Sequence, residues 1–348
     1  MIGKPKTQLS ILDGAFNARK KRSRTDDLLE KINKFINWSQ VVNLCQGMYK
    51  NSSRGRPTLP IEFSLKCLVL QYLYGLSDPA LEDALIDRFS FQRFLGINFD
   101  SEIPDFSTIW RFRERLVKAG LLNKIFETIL KELERGNLIL RRGTLIDASI
   151  VQAARKPHRP SAETEKKADS GQGEGEKVQH PAGNVRQRAQ QEQNASHTKK
   201  GKKHYYGYKA HIGVDQGSGI IRKKKFTTAS VHDSQARDHL ISGDERSVFG
   251  DKAYADDDYK RKLRKAGIYC GILDKGRRNR PLSGKQKKSN KQKSRVRNAV
   301  ERPFAHFKNL YGYYRVRYVN FKRNEVHFTF LCIIHNIRRG IVLVASQS

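Results

Sequence analysis

Cysteine is scarce and scattered. The four residues, Cys45, Cys67, Cys270 and Cys332, form no C-x-x-C pair, so neither a zinc ribbon nor a disulfide framework is indicated. No run approaches the roughly 20 apolar residues of a membrane helix. The opening MIGKPKTQLSILDGAF has neither an apolar core nor a small-residue cleavage site. A soluble, cytoplasmic protein with no membrane partner is expected. Acids are the most conspicuous shortage: 35 Asp and Glu face 68 Lys and Arg, a formal net charge of +33 over 348 residues. A packed chain with that excess repels itself unless a polyanion neutralises it. Nucleic acid, bound through its phosphates, is the expected partner. The hydrophobic share, 37% before glycine is counted, excludes wholesale disorder.

The chain divides by pattern. Residues 1–24 are polar and end in RKKRSR, which reads as a flexible basic arm. Residues 25–140 carry apolar residues at helical spacing: Leu28, Leu29, Ile32, Phe35 and Ile36, then Leu65, Leu68, Val69 and Leu73 after Pro60. Ser77-Asp78-Pro79 and Asp105-Phe106-Ser107 read as helix starts. From 141 onward strands alternate with helices. GTLIDASIV (143–151), HYYGYKAHIGVD (204–215), GIIRKKKFTTASV (219–231), SVFGDKAYA (247–255) and IYCGIL (268–273) read as strands. Gln216-Gly217-Ser218-Gly219 reads as a hairpin turn. A helical stretch is expected from about 294 to 310, a strand-like YYRVRYVNF after it, and an apolar helix from 324 to about 345. Residues 155–203 are rich in Lys, Arg, Gln, Glu, Ser and Gly, almost without aliphatics, and read as a flexible insertion. The fold class is α/β, a mixed sheet with flanking helices after a mostly helical N-terminal domain.

Three acids stand out. Asp147 closes the apolar TLID and Asp251 the apolar VFGD. Strand ends of α/β sheets are where sites are built. Two carboxylates on strands about 4.8 Å apart repel unless a cation lies between them, and a divalent ion with oxygen ligands meets that need. Glu301 lies in RVRNAVERPFAHFK, where Arg297, Glu301 and Lys308 fall within about 40° on one helical stripe. Pro303 suits that helix only near a first turn or a kink. Asp215 and Asp233 are the alternative acids.

With those residues in view, the chain resembles the DDE transposases of bacterial insertion sequences, in particular the group of insertion sequence five. The matching segments are GTLIDAS (143–149), HYYGYKAHIGVD (204–215), TTASVHDSQ (227–235), VFGDKAYAD (248–256) and RNAVERPFAHFKNLYGYYRVRY (297–318); GRPTLPIEFSLKCLVLQYLYGLSDPALEDAL (55–85) resembles the helical domain that precedes catalysis there. The resemblance implies an RNase H-like catalytic domain over 141–348. Asp147, Asp251 and Glu301 would hold two Mg²⁺ or Mn²⁺ ions for DNA cleavage and strand transfer. It implies double-stranded DNA as partner, both element ends and target, a homodimer or larger assembly on that DNA, and a nucleoid-associated location. The family pattern also has a Tyr where this chain has Ser294. The same acids would serve a two-metal nuclease without strand transfer, and a catalytically silent DNA-binding descendant is the other alternative.

Candidate DNA contacts follow from charge. Arg297 and Lys308 would grip phosphates beside the acids. Lys209 and His211 sit on an aromatic-basic strand near Asp147. Arg54 and Arg56, in RGRP, suit a minor groove. Arg111 and Arg115 lie on a helix whose apolar face, Ile109, Phe112, Leu116 and Val117, leaves its arginines, Arg113 included, largely outward. The basic runs 19–24, 199–203 and 276–297 suit phosphate-tracking arms. His232 and Asp233 would shape the site or touch DNA, and His335 reads as a core histidine.

Overall fold

The computed structural model describes residues 24–49, 58–97, 101, 103–155, 194–276 and 279–347. Seven helices come first: α1 (Arg24–Phe35), α2 (Trp38–Gln46), α3 (Ile61–Leu73), α4 (Asp78–Asp87), α5 (Phe89–Leu95), α6 (Phe106–Lys118) and α7 (Leu122–Arg135). Their starts follow local chemistry. Asn37, Ser77 and Asp105 accept hydrogen bonds from the backbone of the first turns of α2, α4 and α6, satisfying donors that a helix start leaves open. The short α5, which the apolar spacing alone does not announce, closes on Gly96 at φ 68°.

The sheet is built from β1 (Thr144–Gln152), β2 (Ser196–Lys200), β3 (Lys203–Asp215), β4 (Ile221–Thr228), β5 (Ser247–Gly250) and β6 (Tyr269–Ile272). β3 pairs antiparallel with β1 along one edge. Its other edge is shared end to end by β2 and β4. Beyond β1, β5 and β6 run parallel. The order β4-β3-β1-β5-β6, antiparallel on one side of β1 and parallel on the other, is that of an RNase H-like core. Between β4 and β5 lie a short helix, α8 (Asp233–Ala236), and the 3₁₀ turn Arg237–Leu240. The helices α9 (Asp257–Lys265), α10 (Gly284–Arg297), α11 (Glu301–Tyr311) and α12 (Phe321–Ala345) complete the described chain.

Three elements differ from the sequence expectation. The stretch read as an insertion to 203 already holds β2 at Ser196–Lys200, hairpinned onto β3, because His197 and Thr198 stack and pair where composition alone suggested solvent. YYRVRYVNF is no strand: it meets the end of β1 through a single bridge, Gln152 N to Tyr314 O at 2.9 Å and Val316 N to Gln152 O at 2.8 Å. The helix expected from 294 begins ten residues earlier, at Gly284, behind a Ser283–Gln286 capping box.

α12 lies between the helical layer and the sheet, packing on α7, α3, α1 and β4. Although 25 residues long and apolar enough to cross a membrane by composition alone, it is a core helix. Asn336 clamps it to β4, accepting from Ile221 N and donating to Ile221 O, both at 2.8 Å. His335 meets Gly219 O at 3.0 Å, and burial holds its pKa down near 4. One continuous hydrophobic core joins the N-terminal helices, α12 and one face of the sheet. A smaller one, with Ile146, Val248, Tyr254, Tyr259 and Leu263, fills the other face.

Candidate active site

Asp147 is the fourth residue of nine in β1, not its last. β3 covers it on one side, where Ile212 is its partner. On the other side β5 pairs only through Thr144–Val248 and Leu145–Phe249 and stops at Gly250. Asp147 and Asp251 each lie two residues past the Leu145–Phe249 pair, so the parallel register sets them side by side where the neighbouring strand has ended. Both carboxylates accept a backbone N–H, Asp147 from Ala148 at 2.9 Å and Asp251 from Lys252 at 2.7 Å.

Glu301 arrives from the other end of the chain. α10 ends at Arg297, a 3₁₀ turn covers Asn298–Val300, and α11 starts at Glu301. Pro303 therefore sits in the first turn of a new helix, the setting it tolerates. Arg297 reaches across the gap: its Nη1 lies 3.5 Å from Asp147 Oδ2 and its Nη2 3.5 Å from Glu301 Oε1. Its side chain is 16% exposed, Asp147's 21% and Glu301's 63%. The register and this arginine gather three acids that are far apart in the chain.

Burial pushes the Asp147 carboxyl up to about 6; neighbouring Asp251 adds to this, while the Ala148 N–H, Arg297 and Lys200 oppose it. The Tyr254 hydroxyl, buried near the acids with no hydrogen-bond partner among the described residues, is raised well above its ordinary value by burial and by Asp233, Asp147 and Asp251. The donors are hard carboxylate oxygens, which suit Mg²⁺ or Mn²⁺, and the Asp147 carboxylate is one that burial has stripped of water. Asp147 and Asp251 thus fit a divalent ion. Glu301 stands off on Arg297, and no three His, Cys, Asp or Glu among the described residues close into a finished metal site.

The other expected contacts divide. The ammonium of Lys308 is lowered by burial and by Lys200 and raised by Asp147, which places it in the field of the acids. Lys209 is committed internally, donating to Val231 O at 2.7 Å and pairing with Asp233 at 3.0 Å. His211 cannot meet a phosphate: it is 0% exposed, bonded to Thr227 Oγ1 at 2.9 Å and held by burial near pKa 4, hence neutral. The physical reason is a roof. The segment ending in the 3₁₀ turn Arg237–Leu240 packs on the Lys209–His211–Gly213 face of β3. His232 caps α8 at its start, and Asp215 is a buried acceptor for Leu140 N, Arg141 N and Ser218 Oγ, which removes it as a catalytic alternative.

On α6, Arg111 and Arg115 are exposed and line a cavity of about 540 Å³ with Tyr49 and Leu59. Arg113 is not outward as expected. It is buried and pairs with Asp78 through Nη1 at 2.7 Å and Nη2 at 2.9 Å, because the α4–α6 contact covers its side of the helix. Arg54 and Arg56 lie outside the described residues. Sequence reasoning placed Lys200 only in the basic run 199–203, as a phosphate-tracking arm, and missed Tyr254 as a neighbour of the acids. The alternation of Ser196 to Lys200 was the available signal for the first; for the second there was only its place three residues after Asp251.

Two family models match the chain. Residues 16–115 match the Transposase domain (DUF772), and residues 139–337, more than half of the chain, match the Transposase DDE domain. Among solved structures, a piggyBac transposase synaptic complex with hairpin DNA is similar over 93% of this chain and 75% of that one, at 11% identity and a TM-score of 0.43. The DDE model spans all three acids, β1 to α11, and on that match the chain belongs to the DDE transposases of insertion-sequence type, enzymes of metal-dependent DNA cleavage and strand transfer.

Proposed function

We propose that this chain is a transposase of the insertion sequence five group that binds the ends of its own element, cuts them at the Asp147–Asp251–Glu301 site and joins the freed 3′-OH to target DNA. The observation that carries the reading is Arg297, which holds Asp147 and Glu301 within 3.5 Å of one guanidinium while Asp251 stands beside Asp147 in register. Two Mg²⁺ or Mn²⁺ ions at these carboxylates would activate the attacking oxygen and stabilise the leaving 3′-oxygen. The protein's own groups do the rest. Asp147 and Asp251 orient the reacting phosphate's surroundings from a rigid sheet. Arg297 and Lys308 hold phosphate oxygens, the arginine as a fork and the lysine as a point charge. Lys200, at the tip of the β2–β3 hairpin, adds a third cation. Arg111 and Arg115, exposed on α6, would read the element end, and so would Arg54 and Arg56. Two ends must be held together, so the working form is a homodimer or larger, acting on nucleoid DNA in the cytoplasm.

The test is to incubate purified protein with Mg²⁺, a labelled duplex carrying the element end, and a supercoiled plasmid. Metal-dependent cleavage with label joined to plasmid is expected. Asp147→Asn, Asp251→Asn and Glu301→Gln should each abolish both products and leave the duplex affinity measured in EDTA unchanged. Cleavage without joining would identify a nuclease instead. Binding with no cleavage in Mg²⁺ or Mn²⁺ would identify a silent DNA-binding protein.

A further inference from the structure

α10 is an unusual helix. Its fourteen residues, GKQKKSNKQKSRVR, include seven cations and no acid, and none of its residues is buried. Like charges three and four apart, such as Lys287 with Lys291 and Lys291 with Arg295, each weaken a helix by a few tenths of a kcal/mol. No apolar stripe offsets that. The helix is held by polar clamps instead. Asp274 N donates to Asn290 Oδ1 at 2.9 Å, and Asn290 Nδ2 returns a bond to Asp274 O at 3.1 Å. Lys293 Nζ donates to Ile272 O at 3.1 Å and lies 3.5 Å from Asp274 Oδ2. At 100° per residue, the clamping positions Asn290, Lys293 and Arg297 fall on one face. Lys288, Lys291 and Arg295 fall on the roughly opposite one. Those three, with Lys285 and Lys287, are exposed, and among the described residues none of the five has an acidic partner.

From these observations we infer that the outer face of α10 is a phosphate track for the DNA being cut, running along the backbone into the site. The helix is about 21 Å long at 1.5 Å per residue, enough to follow about six base pairs at 3.4 Å each. Its last residue is the arginine between Asp147 and Glu301, so a backbone lying on the track passes the helix end beside the acids. Only a polyanion complements a rigidly docked, acid-free cationic face. The choice of DNA as that polyanion rests on the proposed function.

The test compares two variants of the full chain with equal loss of charge. One is Lys288→Gln/Lys291→Gln/Arg295→Gln on α10; the other is Lys124→Gln/Lys131→Gln/Arg135→Gln on the exposed face of α7. Binding of a short fluorescein-labelled duplex of arbitrary sequence is followed against salt. The slope of log affinity on log salt should become shallower by about 3 for the α10 variant, roughly one unit per lost phosphate contact, and stay at the parent value for the α7 variant. Cleavage of the element-end duplex should fall with it and recover at low salt. The three single α10 substitutions, each expected to lower the slope by about 1, carry the test should the triple change disturb folding. A parental slope in the α10 variants, or an equal fall in the α7 variant, would overturn the track. So would normal cleavage with only joining lost, which assigns α10 to target DNA. A parent protein that never cuts, yet whose slope depends on α10, would defeat the proposed function and leave the track standing.

Discussion

Replacing Asp147 by asparagine should abolish catalysis and make the protein more stable. The carboxyl is carried from an ordinary 3.8 to about 6, chiefly by burial in the sheet and secondarily by Asp251. Each unit corresponds to about 1.4 kcal/mol. The ionised side chain therefore costs the fold on the order of 2–3 kcal/mol, the lower figure allowing for water at a side chain 21% exposed. The sign follows from proton binding. Below about pH 4 the carboxyl is protonated in both the folded and the unfolded chain, and no penalty exists. Between about pH 4 and 6 the unfolded chain ionises first, the folded state binds more protons, and stability falls as pH rises. Above about pH 6 both are ionised and the penalty is complete. The amide of the Asp147→Asn variant escapes it while its oxygen still accepts the Ala148 N–H. Unfolding in EDTA should thus show a midpoint higher by about 5 °C for the variant at pH 8, with the gain vanishing near pH 4. Mg²⁺ should raise the midpoint of the parent and not of the variant, since it binds the folded carboxylate pair. A variant less stable than the parent at pH 8, or a gain that does not change with pH, would refute the electrostatic account of the site.

Four further outcomes follow from particular contacts. Arg297→Gln removes a charge that lowers the Asp147 pKa, so the acid limb of the cleavage pH profile should move to higher pH while the fold survives. Arg113→Ala strands Asp78, whose carboxyl burial would raise but which the hydrogen bonds from Arg113 and Gln71 hold below its ordinary value; urea unfolding should show a loss of about 3 kcal/mol. Asn336→Leu leaves the N–H and C=O of Ile221 unpaired in the core and should lose about 2 kcal/mol or more by the same measurement. Gly207→Ala drives a Cβ into the backbone at Val151, near the end of β1, and at Ala153 just beyond it; soluble yield should collapse, and any folded fraction should melt far below the parent.

Local patterns and the candidate acids are legible in the sequence, and contacts made by distant segments are not. Ser77 and Asp105 mark helix starts because a cap is a property of four neighbouring residues. Asp147, Asp251 and Glu301 announce themselves as acids in settings that do not call for acids. His211 was misplaced because alternation along β3 tells which residues share a face, not what covers it, and the roof comes from residues 229–240. Arg113 was misplaced for the same reason: its partner Asp78 lies 35 residues away. The β2 strand was hidden by its composition, since Lys199 and Lys200 look like solvent until paired with His204 and Lys203. The end of β5 at Gly250, which leaves Asp147 open in mid-strand, is a matter of register that no single segment encodes.

The net charge of +33 takes a more specific meaning from α10. At its inner end, Arg297 faces Asp147 and Glu301 with Asp251 nearby, and burial leaves the Asp147 carboxylate poorly solvated, as its raised pKa records. Within about three turns of it, on the outer face of the same helix, Lys288, Lys291 and Arg295 have no acidic partner among the described residues. The same helix thus ends at poorly solvated carboxylates and carries an excess of positive charge on its outer face. A phosphodiester backbone laid along it would neutralise the excess, and divalent cations would stabilise the buried carboxylates. Each binding event brings in charge of the sign the other attracts, since bound metal draws phosphate and bound phosphate draws metal. By linkage the two should strengthen one another. Duplex affinity should therefore rise with Mg²⁺ in the parent, and this gain should shrink in Asp251→Asn, where half of the carboxylate pair is gone. Equal gains in both proteins would mean that the metal and the DNA are bound independently.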